Sequence, residues 1–193
     1  MTKMTQICKA YRMLLLVAVL LLHTFHNTAS AQRTVSRQSS ISLSSCYTGT
    51  CVGAEAFYQQ YTLNGFWEAG IQAYPSLCVL STGDPLECLY LYAAGGYMWR
   101  LAATRGRGFN WYAGAGVLTG IEWLDPAGKL PSYLDLGVND IRFLYGVYAK
   151  SYVELFLSQR IALLFHGALP VNFSAVTGNI HWQAGVGLKL MIN

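Results

Sequence analysis

The sequence predicts an all-β chain, an antiparallel eight-stranded up-and-down transmembrane β-barrel of the outer-membrane type, preceded by a cleavable signal peptide. Three observations predict it. Apolar positions beyond the N-terminal segment recur with period two rather than 3.6. Several strand-like segments are long for a soluble sheet. The connections between them are short and long in alternation.

The last segment shows the period best. Ile180, Trp182, Ala184, Val186, Leu188, Leu190 and Ile192 alternate with His181, Gln183, Gly185, Gly187, Lys189, Met191 and Asn193. In an extended chain these sets fall on opposite faces. Trp111, Ala113, Ala115, Val117, Thr119 and Ile121 alternate in the same way with Asn110, Tyr112, Gly114, Gly116, Gly120 and Glu122. The pattern yields strands near 39–47, 52–60, 65–74, 87–101, 109–122, 143–157, 160–169 and 179–192. Several approach or exceed the roughly nine to eleven residues of a tilted membrane strand. No segment after the first makes a long amphipathic helix.

The connections follow in order. Cys46 to Cys51 is read as the first outer loop, Tyr61 to Asn64 as a turn, Pro75 to Leu86 as a loop and Ala102 to Gly108 as a turn. Trp123 to Arg142 is the longest loop, Ser158-Gln159 the tightest turn and Pro170 to Gly178 the last loop. A sheet in lipid must close on itself because hydrocarbon offers its edges no hydrogen-bond partners. Eight strands leave an interior that side chains fill, with no room for a water channel. The rival fold is a soluble barrel or sandwich, since alternation alone does not say whether the apolar face meets lipid or a second sheet.

The N-terminal segment has the three zones of a Sec signal. Lys3, Lys9 and Arg12 precede the apolar run Met13 to Leu22, and small residues end it at Ala29-Ser30-Ala31. The run is too short to cross a bilayer as a helix. Small residues at Ala29 and Ala31 place cleavage before Gln32, and Gln rather than Cys there gives no lipoprotein anchor. The expected division is a signal over 1–31, a short linker over 32–38 and one barrel over 39–193. Cleavage removes three of the thirteen basic residues and none of the nine acidic ones, which leaves a net charge of +1. A nearly neutral mature chain predicts no direct nucleic-acid binding. At 11% charged residues the sequence is about half as charged as a soluble domain, yet it holds 13 Tyr, 5 Trp and 19 Gly.

Cys8 leaves with the signal. The remaining cysteines form two close pairs in sequence, Cys46 with Cys51 and Cys78 with Cys88, candidates for disulfides in an exported protein. Four cysteines allow three connectivities, which spacing does not separate. The spacings lack a C-x2-C pair and a nearby His, so no metal site is expected. Gly106 and Gly108 around Arg105 and Arg107 resemble a phosphate loop, but no helix follows, and a basic periplasmic turn is the better reading.

Parity places Glu55, Glu68, Arg100, Glu122, Lys150, Glu154, His166, His181 and Lys189 on the inner face. A structural polar network in the lumen, centred on Glu122, Lys150, Glu154, His166, His181 and Lys189, is the expected role. The competing reading is a lipid-modifying enzyme with His166 or His181 as base. No Gly-x-Ser-x-Gly, His-Glu-x-x-His or paired-carboxylate motif supports it. Neither catalysis, cofactor nor small-molecule substrate is therefore expected. Trp67, Tyr97, Trp99, Trp111, Tyr112, Trp123, Tyr145, Tyr152 and Trp182 lie near strand ends, where rings anchor at a membrane interface.

Ordered blocks carry a family resemblance. They are Gly95-Gly96-Tyr97, Arg105-Gly106-Arg107, Gly114-Ala115-Gly116, Gly120-Ile121-Glu122, Tyr152-Val153-Glu154, Arg160-Ile161-Ala162-Leu163, and the ending from Gly185 to Asn193. Together they resemble the TraO conjugal transfer proteins of conjugative transposons, over most of the mature chain. Two departures are Gln159, where that family leads one to expect an acidic residue, and the terminal Asn193, where many outer-membrane barrels end in Phe. The resemblance implies a non-enzymatic outer-membrane component of a type IV secretion-like DNA transfer apparatus. Its partners would be outer-membrane lipid and other proteins of the apparatus. A general adhesive or envelope-stabilising barrel is the alternative.

Overall fold

The computed structural model describes residues 37–49, 51–79, 85–104, 108–124, 141–173 and 182–192. Eight strands follow in chain order: β1 (Ser39–Tyr47), β2 (Val52–Tyr61), β3 (Gly65–Val79), β4 (Pro85–Ala103), β5 (Phe109–Leu124), β6 (Ile141–Phe156), β7 (Ile161–Asn172) and β8 (Gln183–Ile192). Each pairs antiparallel with the next, and β1 pairs with β8 to close the barrel. Closure satisfies the edge groups that lipid would leave unpaired.

The strands are staggered, as closure requires. Following the ladder from Tyr47, the last residue of β1, through Ala184, Gly167, Ser151, Ala113 and Trp99 leads to Gly65, the first residue of β3. One irregularity interrupts β4–β5 pairing between Arg100 and Ala102, next to a turn. At one end, called here the turn end, β2–β3, β4–β5 and β6–β7 are joined; the four other connections lie at the loop end.

Alternation in β8 is as read. Val186, Leu188, Leu190 and Ile192 are 48, 54, 53 and 42% exposed, while Lys189 is fully buried. The core is the lumen. Phe66 stands at its aromatic centre, with ring centroids 4.8 Å from Tyr112, 5.4 Å from Tyr61 and 5.7 Å from Tyr152.

Two loops begin later than expected, at the same residue type. Pro75 does not start the loop that its residue type predicts: β3 runs on to Val79 with Pro75 opposite Leu89. Pro170 likewise does not start its loop: β7 runs on to Asn172 with Pro170 opposite Tyr148. In both cases pairing with the other neighbour has ended: β3 leaves β2 after Ala73, and β7 leaves β8 after Ala168. Each proline therefore sits where a strand has become an edge and its missing N–H costs no ladder bond. The longest loop is also shorter than expected, because Trp123 and Arg142 belong to strands.

Candidate functional site

Inward positions of the strands bring the polar residues together in three tiers. In the one of these three tiers that lies towards the loop end, Lys150 Nζ donates to Glu55 Oε2 at 2.6 Å, and both side chains are wholly buried. His166 Nε2 lies 2.9 Å from Glu55 Oε1 as an ion-pair contact, off the line of a hydrogen bond, and its Nδ1 has no partner. The Tyr74 hydroxyl is 3.2 Å from both Glu55 Oε1 and Gln183 Oε1 and can donate to either. In the middle tier Glu68 accepts from Tyr152 at 2.7 Å, Tyr148 at 2.9 Å and Gln59 Nε2 at 3.4 Å. Towards the turn end Lys189 pairs with Glu154, and Tyr61 donates to Glu154 at 2.9 Å.

Strand β6 organises these tiers. Its successive inward residues Tyr148, Lys150, Tyr152 and Glu154 reach Glu68 on β3, Glu55 on β2 and Lys189 on β8. The contacts cross the lumen rather than running along neighbouring strands, so they brace the closed sheet. Aromatic faces complete the cation sites, with Lys150 Nζ 4.2 Å from the Phe57 ring and Lys189 Nζ 4.7 Å from the Phe66 ring. Charges removed from water are tolerated when paired and hydrogen-bonded in this way. A fourth carboxylate, Glu122, accepts from Tyr90 at 3.0 Å and lies opposite Arg142 on the ladder.

The inward charges expected from parity, Glu55, Glu68, Glu122, Lys150, Glu154, His166 and Lys189, are all buried. Arg100 is half-buried at the turn-end rim, where its guanidinium donates to Leu63 O at 2.8 Å. His181, the cleavage residues Ala29, Ala31 and Gln32, Arg105 and Arg107 lie outside the described residues. Cys46 and Cys88 are buried and Cys51 is half-buried; Cys46 and Cys51 are free thiols. Gly53, not Cys51, stands opposite Cys46, while the backbone of Cys78 stands opposite Leu86.

The tyrosines correct the sequence reading. Tyr112 and Tyr152, expected at the membrane interface, are each 1% exposed inside the lumen. Their parity with Lys150 and Glu154 was the available signal, since even-numbered residues of β5 and β6 point inward. Tyr61, Tyr74, Tyr90 and Tyr148 were missed as carboxylate partners for the same reason. A phenol offers packing area and one polar handle, which suits a narrow lumen lined with Glu.

The outward face is apolar between two aromatic groups. At the turn end Trp67, Tyr97 and Trp99 form a cluster, with centroids 4.8 and 5.1 Å apart, and Trp111 donates to Ser151. At the loop end Tyr47 meets Trp182 at 5.8 Å, and Tyr145 meets Phe173 at 5.8 Å. From Trp111 to Thr119, which pairs with Tyr145, a tilted strand climbs about 20 Å. That approaches the apolar band of ~25 Å in membrane barrels.

The described geometry finds counterparts among solved barrels. The N-terminal β-barrel domain of Pseudomonas aeruginosa OprF is similar at TM-score 0.54 and 9% identity, covering 81% of this chain and 98% of that one. Neisserial surface protein A is similar at TM-score 0.52 and 10% identity, covering 79% and 94%. Ail, the attachment invasion locus protein of Yersinia pestis, gives 0.51 and 11%, covering 82% and 100%. At such identities the likeness concerns the fold, an outer-membrane type β-barrel. No curated protein matches the chain. A family model described as conjugative transposon protein TraO matches residues 86–192, from the start of β4 to the end of β8. That match spans more than half of the 193 residues, and the chain belongs to the TraO family of conjugative transposon proteins.

Proposed function

We propose that this chain is a non-enzymatic outer-membrane component of a conjugative DNA transfer apparatus. Its short turns face the periplasm and its long loops face outward, as in other barrels of this type. The observation that carries the reading is the TraO match over residues 86–192, joined to a lumen whose carboxylates are met by lysines and tyrosine hydroxyls. Export through a signal cleaved after Ala31 delivers the chain to that membrane, and other proteins of the apparatus are its partners.

The lumen supports a scaffolding role over a catalytic one. His166, the candidate base, is 5% exposed and its Nε2 is held against Glu55, where no lipid carbonyl can reach it. Lys150, Glu55, Lys189 and Glu154 have no exposed side-chain surface. Such a barrel holds its loops at fixed spacing, and the loops and the outer rim are where partners bind.

Deletion of the gene from the element, with the coding sequence restored elsewhere, tests this. Transconjugant numbers should fall on deletion and recover with the wild-type chain. Unchanged transfer would sink the proposal and favour a general envelope role. Export also brings Cys46, Cys51, Cys78 and Cys88 to an oxidising compartment. Peptide mapping of the non-reduced protein identifies which of them pair as the proposed disulfides.

A further inference from the structure

The two ends of the barrel differ in charge. Among the described residues at the turn end, Arg37, Arg100 and Arg160 are the charged residues that are not buried. Each is placed by its turn. Arg37 N donates to Tyr61 O at 3.0 Å, Arg100 N to Asn64 O at 2.8 Å, and Arg160 O accepts from Met191 N at 2.8 Å. The sequence adds Arg105 and Arg107 to the connection between Thr104 and Gly108, outside the described residues. Asp84, Asp125, Asp135 and Asp140 fall in connections at the opposite end, where the cations are Lys129 and the exposed Arg142.

One of these arginines adjoins the turn-end tryptophans, and the other two share that end of the barrel. Arg100 follows Trp99 in the chain, and Trp99 pairs with Gly65 two residues before Trp67. Tryptophan rings of membrane barrels sit at headgroup level, and the turns that carry Arg37, Arg100 and Arg160 lie at that same end. All three cations are Arg rather than Lys, and the planar fork of guanidinium matches phosphate oxygens two at a time.

We infer that the turn end binds anionic phospholipid headgroups of the leaflet it faces, with Arg37, Arg100 and Arg160 pairing with their phosphates. Charge complementarity would also suit an acidic protein segment. Lipid is the occupant because the arginines lie at the tryptophan end of the barrel, just beyond the apolar outward band. The surface therefore orients the barrel and recruits phosphatidylglycerol-like lipids around its turns.

Tryptophan fluorescence reads this directly, since Trp67, Trp99 and Trp111 lie at the turn end and Trp123 and Trp182 at the loop end. The parent for the test is the full barrel carrying W123F and W182F, reconstituted in phosphatidylcholine vesicles. Chain-brominated phosphatidylglycerol or chain-brominated phosphatidylcholine then quenches the remaining three rings. Each arginine near an anionic surface contributes about fivefold, so the anionic lipid should be favoured by about fivefold or more at low salt. The preference should shrink at high salt and approach parity in R37Q/R100Q/R160Q. A second variant, R37Q/R160Q, spares the Arg100 bond to Leu63 and should lose part of the preference, with gel mobility before and after heating reporting that it is folded. Equal quenching by both lipids in the parent overturns the inference, as does a preference that survives the folded triple variant. Equal quenching combined with binding of a polyglutamate probe also overturns it and makes the surface a protein site.

Discussion

Replacing Lys150 with Met keeps the length and packing of the stem but removes the cation 2.6 Å from Glu55 Oε2, where neither side chain touches water. Removing one partner of a buried ion pair typically costs about 3–5 kcal/mol, because the other charge stays buried. Here His166 Nε2 remains 2.9 Å from the same carboxylate, which puts the expected loss near the lower end, about 3 kcal/mol. Glu55→Gln alone leaves Lys150 over the Phe57 and Tyr152 rings without its counter-ion and should cost a similar amount. The double variant carries neither charge. Its loss should fall well short of the sum of the singles, with a coupling energy of about 2 kcal/mol. Urea unfolding of the barrel in lipid vesicles, followed by tryptophan fluorescence and gel mobility, measures all four proteins. With a slope of ~2 kcal/mol/M, each single variant should shift its midpoint down by roughly 1.5 M. Unshifted single midpoints, or losses that simply add, would refute the claim that this cross-lumen pair braces the barrel.

Other outcomes follow from the same structure. Tyr152→Phe removes the 2.7 Å bond to Glu68 and should cost about 1.5–3 kcal/mol, the range for bonds to charged groups, measured by the same unfolding assay. Gly116→Ala puts a methyl group against Gly95 O and the Tyr148 ring; it should lower stability by about 1–3 kcal/mol and reduce the folded yield. Val186→Arg places a charge on the lipid face, where Val186 is 48% exposed, and should cost about 2–4 kcal/mol in vesicles, whereas Val186→Leu should be nearly neutral. Purified barrel in a planar bilayer should show no steady ion conductance, since side chains fill an eight-stranded lumen; discrete open-channel steps would contradict the packed interior.

Much of this architecture is legible from particular residues. The run from Gln183 to Ile192 alternates without a break, so the faces of β8 follow from the sequence alone, as do the buried positions of Lys150, Glu154 and Lys189. The prolines mark where local signals stop being sufficient. Pro75 and Pro170 are loop-like residues in isolation, and only the early end of pairing on one side of β3 and of β7 makes them acceptable within strands. The tyrosines mark a second limit. A ring near a strand end suits either a headgroup layer or a narrow lumen, and parity separates them, with Trp111 outward and Tyr112 inward on adjacent positions. Which carboxylate meets which cation depends on the stagger of the barrel. Glu55 reaches Lys150 and Glu154 reaches Lys189 across strands far apart in sequence, and no spacing rule anticipates those partners.

The claim that the apolar face meets lipid is tested most directly by the state of the chain in donor cells. Membranes are separated by density, and each fraction is run on cold and boiled detergent gels. The account predicts that the chain is found in the outer-membrane fraction and that its unboiled form migrates differently from its boiled form, as a folded barrel does. A chain recovered in the soluble periplasm, with one mobility before and after boiling, would contradict it.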